Sequence, residues 1–244
     1  MHFLRISSHP SIPSPHPKAV RASASETDPP PKPKEIRVCV NRICRRKGSM
    51  ETLQVLTDLA PPDITIKSCG CLGKCGIGPN AVMLPGAVFV SHLGTPARAA
   101  ALLSSTCGGE LGSWRKSLEA LALKKRAEGE MEVANFSQAE VLLSQAIEIQ
   151  PQGGIHVLYK DRAIARIAIG NVSDAIEDVK EALTLAPKYP EAYLIQGDAF
   201  LAIEQFDGAE ESYSKALELD PSIRRSKSFK DRIAKLQEKF IITQ

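Results

Sequence analysis
The chain has 244 residues, 43% of them hydrophobic and 24% charged, an ordinary balance for a soluble or peripheral protein with one large domain or two modest ones. Its net charge of +3 lies in residues 1–25, which hold Arg5, Lys18 and Arg21 and no acid, and the remainder balances 28 bases against 28 acids. Charge therefore gives no argument for nucleic-acid binding, and no apolar run approaches the roughly 20 residues of a membrane span.

Residues 1–25 combine scattered bases with six serines, while Pro10, Pro13, Pro15 and Pro17 break both a secretory apolar core and an amphipathic presequence helix. They read as a plastid transit peptide with a processing site near Val20-Arg21-Ala22, against the plainer alternative of a disordered tail. Chloroplast localisation follows, in the stroma or on the thylakoid surface. Residues 26–34, with Pro29, Pro30, Pro31 and Pro33, form a stiff extended linker.

Residues 35–107 read as a compact βαβββα unit. Ile36 to Val40 alternates as a strand, Ser49 caps a helix to about Leu59, and Ile64 to Lys67 is a second strand. Ala81 to Leu84 and Ala87 to Ser91 flank the turn pair Pro85-Gly86, and Thr95-Pro96 opens a last helix to about Ser104. Five of the six cysteines fall between residues 39 and 75, a clustering that argues for a metal or cluster site over a disulfide framework. Cys39-x4-Cys44 precedes Cys71-x3-Cys75, and Gly70, Gly73, Gly76 and Gly78 let backbone N–H groups approach sulfur. Four thiolates suit a [2Fe-2S] cluster or Zn²⁺, whereas a redox disulfide lacks its usual C-x-x-C pair.

The element order, Cys39-x4-Cys44 and the run Cys71-Leu72-Gly73-Lys74-Cys75-Gly76-x-Gly78-Pro79 resemble the thioredoxin-like [2Fe-2S] ferredoxin family, which includes the small peripheral iron-sulfur subunit of respiratory complex I. That resemblance implies a thioredoxin-like fold and a cluster held by Cys39, Cys44, Cys71 and Cys75. The spacing departs from the C-x4-C-x2-C pattern of plant-type ferredoxins. Cys69 is expected as a buried apolar neighbour of the cluster, and Cys107 takes no role. Arg37, Arg42, Arg45, Arg46, Lys47, Lys67 and Lys74 lie within a few residues of the ligands and suggest a basic collar, the alternative being a solvated charged face. Such a collar would steer an acidic redox partner such as a ferredoxin.

Residues 108–113 read as a glycine-rich linker. Beyond them the motif Ala-x6-Ala-x4-Pro occurs at Ala139, Ala175 and Ala209, ending at Pro151, Pro187 and Pro221, with Ala127, Ala163 and Gly197 twelve positions before each first alanine. This resembles the tetratricopeptide repeat and implies three helical hairpins over 114–221. Residues 222–244 then form a capping helix with Ile233, Leu236 and Phe240 on its apolar side. The fold class is thus α+β, a thioredoxin-like domain followed by an all-α solenoid.

The groove is expected to bind a protein client through Lys124, Glu128, Lys160, Ile164, Glu191, Leu194 and Asp198. Glu128, Ile164 and Asp198 stand where a clamp for a C-terminal carboxylate would need polar or basic groups. No catalytic constellation occurs, so a non-enzymatic scaffold is the leading expectation, an assembly or maintenance factor for a photosynthetic or redox complex. The alternatives are a dedicated electron carrier or oxidoreductase component, and a structural zinc protein.

Overall fold
The computed structural model describes residues 35–108 and 111–242, the backbone alone for Leu111 and Phe240–Ile242. The transit peptide and the proline-rich linker lie outside the described residues. An N-terminal four-stranded sheet and a C-terminal helical solenoid make up the rest.

Strand β1 (Glu35–Cys39) pairs in parallel with β2 (Thr65–Cys69), and antiparallel β3 (Ala81–Leu84) and β4 (Val88–Val90) complete the order β2-β1-β3-β4. Ile36 and Val38 on β1 are fully buried, while Arg37 between them is exposed, the alternation of a strand with one covered face. Helices α2 (Ser49–Leu59) and α3 (Pro96–Cys107) bury Val55, Leu56, Leu59, Ala99 and Leu103 in the same core. Thr95 accepts from the Arg98 N–H at 3.3 Å and caps α3. A short helix α1 (Arg42–Arg46) intervenes between β1 and α2; five residues with no capping side chain carry too little periodicity to announce a helix in the sequence.

The linker expectation for 108–113 changes more. Gly108 ends α3, but Leu111–Ser113 form the first turn of α4 (Leu111–Glu132). Trp114 is fully buried in the core of the sheet module with Leu118 and Leu121, while Ala120, Leu123, Ala127 and Met131 of the same helix pack into the first repeat. One continuous helix therefore belongs to both cores, and a rod of hydrogen-bonded backbone leaves no hinge within it.

Helices α4 and α5 (Phe136–Glu148), α6 (Ile155–Ala168) and α7 (Val172–Leu185), and α8 (Pro190–Ala202) and α9 (Phe206–Leu219) form three hairpins. Small residues set their spacing. Ala127, Ala163, Ala139, Ala175 and Ala209 are fully buried, and a Cβ on Gly197 would meet the Tyr213 ring at 2.4 Å. Within the second hairpin Asp178 accepts from Arg162 at 2.6 and 3.0 Å and from Arg166 at 2.8 Å, and the same arginines join it to α5 of the first by donating to Ser144 Oγ at 3.0 Å and Glu140 at 2.8 Å. The final helix α10 (Lys227–Ile242) lays Phe229, Ile233 and Leu236 against α9, and Arg232 binds Asp198 at 2.8 Å.

Candidate functional site
The two parallel strands β1 and β2 deliver their C-terminal ends side by side, with Cys39 opposite Cys69 in register. This places the first cysteine pair and the glycine-rich loop at one edge of the sheet. Cys39 ends β1, Cys44 sits on α1, Cys71 lies in the loop after β2, and Cys75 opens a short 3-10 turn to Ile77. Cys39 and Cys44 are buried; Cys75 is half-buried and Cys71 exposed. No disulfide joins the described cysteines.

The thiols stand in pairs. Cys71 Sγ is 3.6 Å from Cys75 Sγ, and Cys44 is within hydrogen-bonding reach of Cys39. Burial alone would raise the Cys39 thiol, but N–H groups of Asn41 and Leu72 and the Cys44 side chain outweigh it and hold Cys39 below the ordinary thiol range. Burial raises Cys44, helped by its bond to Cys39 and by the charges of Cys39 and Cys75. The Cys71 thiol raises Cys75, burial adds to this, and the charge of Cys39 is felt there too. Each pair is thus within electrostatic reach of the other.

The loop supplies what an anionic sulfur centre needs. Gly73 N–H points at Cys71 Sγ from 3.4 Å. A Cβ on Gly78 would come within 2.9 Å of Cys44 Sγ, so only glycine admits this approach without a shift. Asn80, almost completely buried, donates from Nδ2 to Lys74 O at 2.7 Å and lies 3.8 Å from Cys44 Sγ. Lys47 Nζ reaches Gly76 O at 2.6 Å and ties α1 to the loop. The sequence reading gave Asn80 and Lys47 no positioning role; an amide directly after Gly78-Pro79 at a strand entrance was the available signal.

The donor set is all thiol, and among the described residues no three His, Cys, Asp or Glu side chains gather around the position of one metal ion. Four thiols in two pairs are a donor set that could hold either a [2Fe-2S] cluster or Zn²⁺. Cys69 is half-buried, not buried, and burial raises its thiol along with the charge of Cys39. Cys107 is partly buried against the sheet core.

The basic collar is smaller than the sequence suggested. Arg37 and Lys67 both pair with Glu35, at the opposite end of β1 from Cys39. Lys74 lies over the Phe89 ring at 4.5 Å, and Lys47 is engaged by the loop. Arg42, Arg45 and Arg46 remain exposed on α1 beside Val40 and Asn41.

The repeat groove differs from the expectation at its first residue. Lys124 is 3% exposed and pairs with Asp58 at 3.1 Å, Asp161 at 3.5 Å and Glu128. Burial opposes the ammonium charge, but the charges of Asp161 and Asp58 and the bond to Glu128 prevail and hold Lys124 above the usual lysine range. Lys160 pairs with Asp161, while Asp198 is held by Arg232 and by Tyr213 Oη at 2.8 Å. Of the expected groove residues, Lys124 and Asp198 are therefore committed within the chain; Glu191 is exposed, Ile164 half-buried and Leu194 buried.

Asp58 belongs to α2 of the sheet module, and its approach depends on Gly153-Gly154 in the loop between α5 and α6. A Cβ on Gly153 would lie 2.2 Å from Leu59 O and one on Gly154 1.9 Å from Asp58 O. Gly154 N–H donates to Ala60 O at 3.3 Å, and Gln152 N–H to Ser117 Oγ at 2.9 Å. The glycine pair lets the loop between α5 and α6 touch the end of α2.

The sequence model of the tetratricopeptide repeat matches residues 160–222. Heat shock protein STI1 of Saccharomyces cerevisiae is 31% identical over 122 residues, 50% of this chain and 20% of its own length. The protein SGT1 homolog of Oryza sativa subsp. japonica is 34% identical over 113 residues, 46% of this chain and 29% of that protein. The chain thus spans less than a third of the length of these curated relatives. The crystal structure of the Sgt2 TPR domain from Aspergillus fumigatus is 29% identical and covers 50% of this chain and 79% of that chain, with a TM-score of 0.45. The protein carries tetratricopeptide repeats, matched over residues 160–222, fused to an N-terminal part.

Proposed function
We propose that this protein is a chloroplast scaffold whose sheet module holds a [2Fe-2S] cluster on Cys39, Cys44, Cys71 and Cys75 and whose repeats bind a protein client. The observation that carries this reading is the two thiol pairs at one sheet edge, met by backbone N–H groups and by the glycine approach at Gly78. A βαβ unit followed by an antiparallel hairpin and a closing helix supports the thioredoxin-like assignment. When bound, the cluster supplies one-electron redox chemistry. The chain's own contribution is to fix the thiols in pairs and to offset their negative charge with N–H dipoles. Arg42, Arg45 and Arg46 would meet an acidic redox partner. The setting is assembly or maintenance of a photosynthetic or redox complex.

Anaerobic reconstitution of the chain tests the ligand set. Visible sulfur-to-iron absorption is expected in the unmodified protein and in Cys69→Ser and Cys107→Ser, and is expected to disappear in Cys39→Ser and Cys75→Ser. Absorption that survives in all four variants would remove the assignment.

A second reading comes from relatives named Hsp70-Hsp90 organizing protein and STI1, in which the client would be a chaperone. The groove favours contacts that do not depend on a terminal carboxylate, because Lys124 is already matched by three carboxylates. A chaperone-derived peptide with a free acidic C-terminus and its amidated form are expected to bind within about twofold of each other, since a buried, paired ammonium has no spare attraction to give. A tenfold preference for the free carboxylate, read by calorimetry, would show that the groove does clamp one.

A further inference from the structure
Two clefts border α10, and they differ in chemistry. One faces α6 and α8 and is crossed by the Asp198–Arg232 pair. The other, about 580 Å³, opens between α9 and α10 and is walled by Phe206, Tyr213, Leu217, Phe229, Ile233 and Leu236. Polar side chains stand at its edge, and the charged ones among them, Asp207 and Glu210, are acids of α9; Ser214 and Gln237 complete the lining. The exposed Glu211 adds negative charge on the same helix, whereas Glu218 is paired with Lys215 at 2.8 Å.

A terminal helix that only sealed the solenoid would close its apolar face against the preceding repeat and turn polar groups outward. Helix α10 buries Phe229 and Leu236 but leaves the α9–α10 seam open, with Ile233 and Leu217 half-covered. In a helical-repeat stack such a seam is a place where another helix would fit, and an amphipathic helix enters a groove of this kind with apolar residues at i, i+3, i+4 and i+7. The acids on one wall select the sign of its flanks. We propose that the cleft between α9 and α10 is a docking site for an amphipathic helix of another protein, with Lys or Arg bordering its apolar stripe. The acidic wall disfavours an anionic lipid surface, which would also offer apolar contact but repel Asp207 and Glu210. This surface lies apart from the groove of α4, α6 and α8, so it would permit a second partner alongside the client.

The test uses the full chain and two synthetic helical peptides with the same leucine stripe, one flanked by lysines and one by glutamates, followed by fluorescence anisotropy at low salt. The lysine peptide is expected to bind at least tenfold more tightly. Combining Asp207→Lys with Glu210→Lys should reverse the preference, weakening the lysine peptide about tenfold and strengthening the glutamate peptide, a crossover that loss of folding does not produce. Ser214→Trp should fill the cleft and weaken both peptides. Equal binding of the two peptides, or charge reversal without effect, would overturn the proposal. Concentration-dependent dimerisation abolished by the same paired substitutions would also overturn it, in favour of a second copy of this chain.

Discussion

The two ends of helix α2 meet opposite electrostatic settings. At its first turn the chain presents thiols and exposed arginines at the rim of a sheet, where Cys71 is open to solvent and Gly78 keeps a side chain clear of the Cys44 sulfur. At its last turn Asp58 enters a buried cluster with Lys124, Glu128 and Asp161, where charges are matched inside the chain. The contrast separates two uses of polar groups. A thiol pair that reaches the surface, as Cys71 and Cys75 do, can take on a further group, whereas an ion pair enclosed between modules fixes how the modules meet and has little capacity left for a ligand.

The contrast breaks most sharply if the lysine is removed. Lys124→Met leaves Asp58 buried without its cation, while Asp161 keeps Lys160, and is expected to cost about 4 kcal/mol, the usual loss when one partner of a buried pair is deleted. Urea unfolding followed by Trp114, the single tryptophan, and by helical circular dichroism should coincide in the unmodified protein and separate in this variant. Adding Asp58→Leu should recover a large part of the loss. If Lys124→Met is neutral, the junction does not depend on the pair.

A pH profile sharpens the same comparison. His156 is 7% exposed, its ring 5.1 Å from that of Tyr189, and burial together with Lys160 lowers its pKa to about 4. Below the ordinary imidazole value of about 6.5, the unfolded chain gains a proton that the folded chain resists. The stabilisation is therefore present above about pH 6.5 and drains away as pH falls toward 4, by about 3 kcal/mol. His156→Phe should flatten this window in urea midpoints measured from pH 7 to 4; an unchanged slope would assign the acid sensitivity to other groups.

The smallest expected effect is confined to the third repeat. Gly197→Ala would press on Tyr213, whose hydroxyl is anchored to Asp198 and through it faces Arg232, so the ring cannot simply swing aside. A loss of about 2 kcal/mol is expected, with thiol reactivity at Cys71 unchanged. A simultaneous change at Cys71 would mean that the two regions communicate more strongly than the packing suggests.

Much of this architecture was legible from local pattern. The thiol spacing, the interleaved glycines and the alanine and proline periodicity are short-range signals, and each maps onto one loop or one hairpin. The junction was hidden because its parts lie far apart in sequence: Asp58, Lys124, Gly153 and Gly154 meet only after folding. Glycines at 108, 109 and 112 read as a linker by composition, although the burial of Trp114 draws the following helix into the sheet core. The collar was overestimated for a related reason. Proximity in sequence to a cysteine does not reveal that Arg37 and Lys67 turn to Glu35. An aspartate near the end of an amphipathic helix and a lysine amid small core residues were the available hints of a buried pair.

The central claim is that the thiol edge is a two-iron centre, and metal and acid-labile sulfide analysis of the anaerobically purified full chain tests it most directly. The account predicts about two irons and about two sulfides per chain, both lost when Cys39 or Cys75 becomes serine. One zinc per chain with no sulfide, or no bound metal after reconstitution, would contradict it.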